Sequence, residues 1–595
     1  MSESAEPSNE PDSKAPDGNR KLPVDGNVAG RLSMVASLAP GAIAIAEPDG
    51  LPQPDGNRSY ALTTFGALDQ RSDEIAKGLI EWGVKPGMRI AMLVPFGAGF
   101  IELVFALMKA GVVTVLVDPG MGRKHLVRCL SDANPDGFMG IPKAQAVRTI
   151  LRSKFPKAKW NVTVGRRYFW GGKTLQQIID QGKKVGKDTS LPRIERTDEA
   201  AVIFTTGSTG PPKGVLYTHG VFHAQIDLIR ERYDIHRGAR DLACFPLFGL
   251  FDAVMGVTTI IPDMDPTKPA QVNPERLVEA AAQWEVEQAF GSPALWNTVV
   301  RWAETRKQHR PFPTLKRVLS AGAPVPAETL IKLRKLVDPD ANIMTPYGAT
   351  EALPLASIES REVIAETGPA SLKGKGTCVG TRFEGVAWKV IEIEDGPLDD
   401  ISETQEVSRG KIGELMVTGP MVTQRYVVRS DQNPFHKVTD GDRIWHRMGD
   451  VGYLDEDGFL YVVYGGESTF GALDDKLRHA ITQLSTWHFT SAEPYRQRVI
   501  QMGHDPSHVF NIGPMVLDAL LKSPSTSRQK FHYSTEFVFG CQNLLVTYHP
   551  ETLLADHGIS GFEMLLQALN KFDVNILFTY PNADIGSDKL IELLT

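Results

Sequence analysis

Residues Phe204 to Val215 read FTTGSTGPPKGV and follow the apolar run Ala200-Ala201-Val202-Ile203. The hydroxyls of Thr205, Thr206, Ser208 and Thr209 can donate to phosphate oxygens. Gly207 and Gly210 let backbone N–H groups approach an anion closely. Lys213 supplies a compensating charge, and Pro211 and Pro212 restrict the loop. It is not a Walker A loop, because its lysine precedes the glycine and no Gly-Lys-Ser/Thr follows. The alternative is a Ser/Thr/Gly turn with a solvated lysine.

Outward from this loop the chain alternates between two periodicities. FGALDQRSDEIAKGLIEWG (65–83) has apolar residues at helical spacing, RIAMLV (89–94) reads as a buried strand, FIELVFALMKAG (100–111) as a helix and VVTVLVDPG (112–120) as a strand. Strands alternating with helices predict an α/β fold with a mainly parallel sheet covered on both faces. The alternation continues through AAVIF, VEQAF and KRVLSAG to about Gly385. Beyond it, VAWKVIEIEDG and GKIGELMVTG are β-rich with glycine turns, which predicts a small barrel or sheet subdomain over about 378–460.

Size and composition bound the function. A chain of 595 residues accommodates several domains, and a formal net charge of −7 gives no electrostatic reason to expect nucleic acid. Cys129, Cys244, Cys378 and Cys541 form no C-x-x-C pair, which suits a reducing cytoplasm. Residues 1–26 lack the apolar core of a signal peptide and are expected to be a disordered tail. The apolar stretch from Ile90 to Val117 is broken by Pro95, Glu102 and Lys109, so no membrane span is expected.

The FTTGSTGPPKGV loop resembles the signature of the adenylate-forming superfamily, which includes acyl-CoA synthetases, peptide-synthetase adenylation domains and luciferases. Three further segments resemble that superfamily's motifs, in its order: SAGAP (320–324), YGATE (347–351) and RMGDVGYLDEDG (447–458). The resemblance implies ATP and Mg2+ as cofactors. It places the adenine against Gly322, Ala323, Pro324, the Tyr347 ring and Gly348. It sets Thr350 at the α-phosphate, Mg2+ on Glu351 and the ribose hydroxyls on Asp450, with Lys213, Thr350 and Glu351 as the catalytic set. A hard cation with carboxylate and phosphate ligands is ordinary magnesium chemistry. Taken singly, Tyr347 could be a core ring, Glu351 a solvated carboxylate at a helix start and Asp450 a turn former.

Residues from about Asn27 to Leu460 resemble one branch more closely, the β-lactone synthetases of bacterial long-chain olefin biosynthesis. VLVDPGMGRKHLVRCL, FPLFGLFDA, GVTTIIPDMDPTKPAQVNP and DRIWHRMGDVGYLDEDG carry this resemblance. It implies a layered α/β/α/β large domain. The implied substrate is a 2-alkyl-3-hydroxy fatty acid, closed to a β-lactone, and the implied partners are other olefin-pathway enzymes. An acyl-CoA or acyl-AMP ligase is the alternative. Many acyl-CoA synthetases carry a histidine in the segment that here holds Phe245, Phe248 and Phe251. Those rings read either as an apolar wall for an alkyl chain or as ordinary core residues.

After Leu460 the resemblance stops. The superfamily's hinge arginine is replaced by Gly466, and no lid lysine is found downstream; Lys589 lies in GSDKLIELL, an unlike setting. Residues 461–595 instead resemble the hydrolysing UDP-N-acetylglucosamine 2-epimerases, through GGESTFGALDDKLRHAITQLS, EPYRQRVIQMGHDPSHVFNIG, LLVTYHPET and TYPNADIGS. By that resemblance Glu467, Arg478, His479 and His549 belong to a sugar-nucleotide site. The other reading is surface charge on a helix and a loop histidine. The segment covers only parts of two Rossmann-like halves, so a partial α/β fragment is expected in place of the lid. The economical account is a chimera joined near residue 461. Three activities follow as expectations: an ATP-dependent ligase, a module that binds ATP or acyl-AMP without turnover, and a UDP-N-acetylglucosamine 2-epimerase.

Overall fold

A computed structural model describes residues 26–50, 58–186, 189–204, 212–371, 375–394 and 396–462, with shorter stretches beyond: 488–490, 496, 499–500, 506–511, 527–535, 537–540, 542–548, 559–579 and 587–594. Of the tail expected over 1–26, residues 1–25 lie outside the described residues, and Gly26 is placed, its carbonyl 3.2 Å from His223 Nε2. The chain divides into two compact units, Met1–Tyr461 and Val462–Thr595.

The first unit is built on two large sheets. One has eight strands in the spatial order Tyr426–Val428, Gly214–Thr218, Glu199–Phe204, Val113–Leu116, Arg89–Leu93, Gly137–Gly140, Trp160–Thr163 and Lys173–Thr174. From Glu199–Phe204 outward to the last strand, neighbours run parallel. The other sheet has fourteen strands; its central run, Thr258–Ile260, Arg240–Ala243, Gln288–Gly291, Arg317–Ser320 and Asn342–Ala349, is parallel. The β-rich segment continues this sheet through Thr377–Arg382 and Leu460–Val462. It also wraps Ile391, Leu398, Met416, Val438 and Trp445 into a small core of its own.

Local sequence explains the elements. The helix Phe65–Glu81 starts where the Thr64 side chain accepts from the Ala67 N–H, a cap worth about 1 kcal/mol. It buries Leu68, Ser72, Ile75, Ala76 and Leu79, spaced as one helical face. Gly78 and Gly182 let it touch the helix Leu175–Val185: a Cβ at Gly182 would stand 1.8 Å from the Glu74 carbonyl oxygen, and one at Gly78 2.0 Å from that of Ile178. The central strands of both sheets are buried on both faces, so they read as continuous apolar runs rather than alternating ones. Trp296, Leu295, Val299 and Phe312 fill the core beside the fourteen-stranded sheet.

In the second unit, His488–Thr490 pairs in parallel with Val509–Asn511. Asn543–Val546 pairs in parallel with Asn575–Phe578, with the helix Ile559–Leu569 between them in sequence, a βαβ arrangement. The chain's last described helix is Ser587–Leu594. Among the described residues no helix is long and apolar enough to cross a membrane.

Candidate active site

The signature loop joins two antiparallel strands. Phe204 stands opposite Gly214 and Ile203 opposite Val215, so both ends of the loop are pinned by a sheet ladder. Thr205, Thr206, Gly207, Ser208, Thr209 and Gly210 lie outside the described residues. Lys213, at the loop's end, is described. Its Nζ is 3.0 Å from His436 Nε2 and 5.0 Å from the centre of the Tyr426 ring. Burial pushes the Lys213 pKa down, and the Glu351 carboxylate opposes that. Burial likewise lowers His436 to about 4, so its ring is neutral and Nε2 can accept from the ammonium.

Glu351 sits at the turn of a β-hairpin formed by Asn342–Ala349 and Ala352–Glu359, in which Tyr347 faces Ala356. It is neither solvated nor at a helix start; it is only 7% exposed. Its Oε1 accepts from the Tyr426 hydroxyl at 2.7 Å, and its carbonyl oxygen accepts from the N–H and the hydroxyl of Thr423, each at 2.9 Å. Thr423 is held in turn by Lys437, whose Nζ donates to the Thr423 carbonyl at 2.5 Å and reaches its hydroxyl oxygen at 3.1 Å. Lys437 is buried, which lowers its pKa to about 7. Beside Glu351, the Thr350 carbonyl accepts from the hydroxyl of the fully buried Tyr217.

At the other end of this motif the Tyr347 hydroxyl donates to Asp450 Oδ2. Tyr347 is therefore neither a plain core ring nor remote from the third motif. Asp450 lies within the strand Arg443–Leu454, not in a turn. Gly449, with φ of +70°, supplies a left-handed backbone just before it that other residues rarely adopt. Arg447 fixes the strand, with Nε at 3.0 Å and Nη2 at 2.6 Å from Glu414 Oε2 on the adjacent strand Gly413–Thr418. Burial raises the Asp450 pKa and the bond from Tyr347 opposes the rise.

These contacts tie Lys213 and Asp450 to one short segment. Asp450 meets Tyr347, and the Lys213 group meets Glu351, four residues on. At ~3.5 Å per residue that segment spans at most ~14 Å. Gly322, Ala323 and Pro324 are exposed just past the C-terminal end of Arg317–Ser320, and Gly322 has φ of +98°. That strand is parallel to Asn342–Ala349, with Leu319 opposite Met344, so the SAGAP turn and Tyr347 emerge at the same sheet edge. The C-terminal edge of a parallel sheet is the usual place for a ligand crevice.

The three phenylalanines separate. Phe245 is 45% exposed, whereas Phe248 and Phe251 are 7% and 3% exposed. Phe248 stacks on Phe290, with ring centres 3.9 Å apart and planes at 15°, and Phe245 lies 5.6 Å from Phe290. Phe290 is the penultimate residue of Gln288–Gly291, the strand next to the SAGAP strand. Phe251 therefore behaves as core, while Phe245, Phe248 and Phe290 form one aromatic face.

Sequence reasoning did not single out Tyr426, His436, Lys437, Thr423, Tyr217 or Phe290. Their partners lie 72 to 223 residues away in the case of Thr423, Tyr426 and His436, a separation no local pattern encodes. Glu467, Arg478, His479 and His549 lie outside the described residues. Among the described residues no group of three or more His, Cys, Asp or Glu is arranged to hold a metal.

Known proteins give the same division. Residues 36–427 match the AMP-binding enzyme family, and residues 462–595 match the UDP-N-acetylglucosamine 2-epimerase family. The chain is 44% identical over 441 residues to an olefin beta-lactone synthetase of Stenotrophomonas maltophilia, covering 73% of this chain and 78% of that one. It is 42% identical to an olefin beta-lactone synthetase of Xanthomonas campestris, covering 73% and 77%. A long-chain-fatty-acid-CoA ligase structure from Archaeoglobus fulgidus superposes with a TM-score of 0.60 at 22% identity, over 76% of this chain and 86% of that one. The O-succinylbenzoate coenzyme A synthetase of Bacillus subtilis, in complex with AMP, gives 0.55 at 20% identity, over 73% and 77%. With four motifs in order, and the three described ones gathered around a single hairpin, the chain belongs to the AMP-binding enzyme family.

Proposed function

We propose that this enzyme uses ATP to convert a 2-alkyl-3-hydroxy fatty acid into an acyl-adenylate and then closes it to a β-lactone. The observation that carries the reading is the Tyr347–Glu351 segment, to which both the candidate ribose acceptor Asp450 and, through Tyr426, the candidate phosphate cation Lys213 are linked. The relatives at 42–44% identity named olefin beta-lactone synthetase support the substrate class. Phe245, 45% exposed and backed by the buried stacked rings of Phe248 and Phe290, offers an alkyl chain an apolar surface.

The acid's carboxylate oxygen attacks the α-phosphorus of ATP and pyrophosphate leaves. Lys213 offsets charge on the phosphate oxygens, and its nearness to neutral His436 leaves that charge directed at the ligand. The Glu351 carboxylate fits Mg2+: Tyr426 engages only one of its two oxygens, and hard cations favour carboxylate oxygen. Bound there, Mg2+ would supply further neutralisation of the phosphates. The substrate's 3-hydroxyl oxygen then attacks the acyl carbon, loses its proton, and AMP departs. Because the nucleophile belongs to the same molecule, closure benefits from proximity.

ATP–pyrophosphate exchange dependent on a 2-alkyl-3-hydroxy acid tests this reading. Exchange, followed by AMP and lactone in stoichiometric amounts, is the expected result. A second reading is an ATP- or acyl-AMP-binding module without turnover. It is favoured by the match of residues 462–595 to an epimerase family, where adenylate-forming enzymes carry a lid. Tight ATP binding by calorimetry without exchange would select it.

A further inference from the structure

We propose that the edge of the eight-stranded sheet formed by residues 142–172 docks on an anionic lipid bilayer. Between Gly137 and Ile179 the chain carries nine lysines and arginines and no aspartate or glutamate, within a protein of net charge −7. The cations are spaced rather than contiguous, and the fold gathers them at one sheet edge: Gly137–Gly140, Trp160–Thr163 and Lys173–Thr174 are its last three strands. Among the described residues none of the nine is in ion-pair contact with a carboxylate. Seven of them are exposed; Arg148 instead donates to Gln145 and Thr149, and Lys173 is held by Gln181 beside the Trp82 ring.

Apolar side chains are exposed along the connection that runs from the C-terminal end of Gly137–Gly140 back to the N-terminal end of Trp160–Thr163, and on the loop after it. On the helix Pro142–Ile150, Lys143, Val147 and Ile150 occupy one face at i, i+4 and i+7, and Val147 and Ile150 are 46% and 77% exposed. The loop Val164–Gly172 begins beside this helix: a Cβ at Gly165 would lie 3.8 Å from the Pro142 ring. The loop reads VGRRYFWGG. Trp170 is its anchor, buried, with Nε1 donating to Thr163 Oγ1 at 2.9 Å. Tyr168 and Phe169 stand outside it, 57% and 79% exposed, with ring centres 5.5 and 5.1 Å from that of Trp170. The Arg166 guanidinium lies 5.3 Å from the Tyr168 ring centre, and Arg167 donates to the Gly172 carbonyl.

Water gains nothing from two rigidly presented aromatic rings, whereas the headgroup region of a bilayer accepts aromatic tips and apolar helix faces flanked by cations. Each cation brought to an anionic leaflet strengthens attachment roughly fivefold, and the effect fades within a Debye length. Cations with exposed rings alone would also suit stacked nucleic-acid bases, but the exposed aliphatic Val147 and Ile150 have no counterpart there and favour a bilayer. On the proposed function, the alkyl acid is also a substrate that partitions into lipid.

Co-sedimentation of the full chain with vesicles tests the proposal. Vesicles of phosphatidylcholine with about one-third phosphatidylglycerol should bind the protein at about 0.1 M salt, and pure phosphatidylcholine vesicles should not. The double variant Tyr168→Ser/Phe169→Ser should bind about tenfold more weakly with an unchanged thermal midpoint, because both rings are exposed. Arg166→Glu/Arg167→Glu should bind at least about 25-fold more weakly, at roughly fivefold per cation removed, and lose its salt sensitivity in part. Equal vesicle binding by wild type and both variants, or no binding to anionic vesicles, overturns the proposal. So does binding to soluble poly-glutamate as strong as to vesicles and indifferent to the two rings, which would indicate an acidic protein partner instead.

Discussion

The Tyr347 hydroxyl donates to the Asp450 carboxylate across 103 residues of sequence. The two residues were expected to grip opposite parts of a nucleoside, base and ribose, and the fold brings them into direct contact. Tyr347 is thereby oriented by the acid that it neighbours, and Asp450 keeps one donor in a setting where burial disfavours its charge.

If these residues and Lys213 hold ATP, Asp450→Ala and Lys213→Ala each weaken ATP binding in calorimetry. A hydrogen bond to a charged group contributes roughly 1.5–3 kcal/mol, so a loss of about tenfold or more is expected for each. Unchanged affinity in both variants would remove the nucleotide-site assignment.

Lys437 positions Glu351 without being placed to touch substrate. Lys437→Met leaves the Thr423 carbonyl and hydroxyl without their donor, and Thr423 is what holds the Glu351 backbone. A stability loss of about 1–3 kcal/mol is expected in urea unfolding. The magnesium concentration giving half-maximal exchange should also rise severalfold, with partial rescue in Lys437→Arg. A stability loss with an unaltered magnesium requirement would make Lys437 purely structural.

The aromatic segment can be divided by two substitutions. Phe251→Ala removes a ring that is 3% exposed and should cost about 3–5 kcal/mol of stability. Phe245→Ala, at 45% exposure, should leave the thermal midpoint nearly unchanged and raise KM for long-chain acids more than for short ones. An equal rise for all chain lengths would argue against an alkyl-binding wall.

Asp241 and Asp252 form a buried acid pair on Arg240–Ala243 and the helix Pro246–Met255, both at 1% exposure or less. Asp241 Oδ2 and Asp252 Oδ1 have no donor among the described residues, a pattern that one proton held between them satisfies. Burial raises both pKa values, Asp241 to about 7. Between the ordinary carboxylate range and pH 7 the folded state therefore binds more protons here than the unfolded chain does, and this pair's contribution to stability falls as pH rises. Buried His219, His223 and His436, lowered to about 4, contribute the opposite slope between pH 4 and 6.5. The comparison must therefore be made with Asp252→Asn, which puts a permanent donor opposite Asp241. Its stability relative to wild type should increase from pH 5 to pH 7, by on the order of 1 kcal/mol per pH unit. A difference independent of pH would show that the pair holds no shared proton.

The sequence by itself determined the alternation of helix and strand, because periodicity and apolar runs are local consequences of which face is buried. Phe65–Glu81 and Arg89–Leu93 were legible for that reason. It also determined the motif residues, since loops that hold phosphate need hydroxyls, glycines and a cation at fixed spacing. Only the tertiary structure decided what surrounds them. That Lys213 meets His436, that Lys437 secures Thr423 behind Glu351, and that Phe290 completes the face begun by Phe248 depend on strand order, and strand order is set by packing between segments that are not adjacent in sequence, 223 residues apart for Lys213 and His436 and 72 for Thr423 and Glu351. The same holds for Tyr168 and Phe169: composition shows two aromatic residues, and only burial of their neighbour Trp170 leaves them outside.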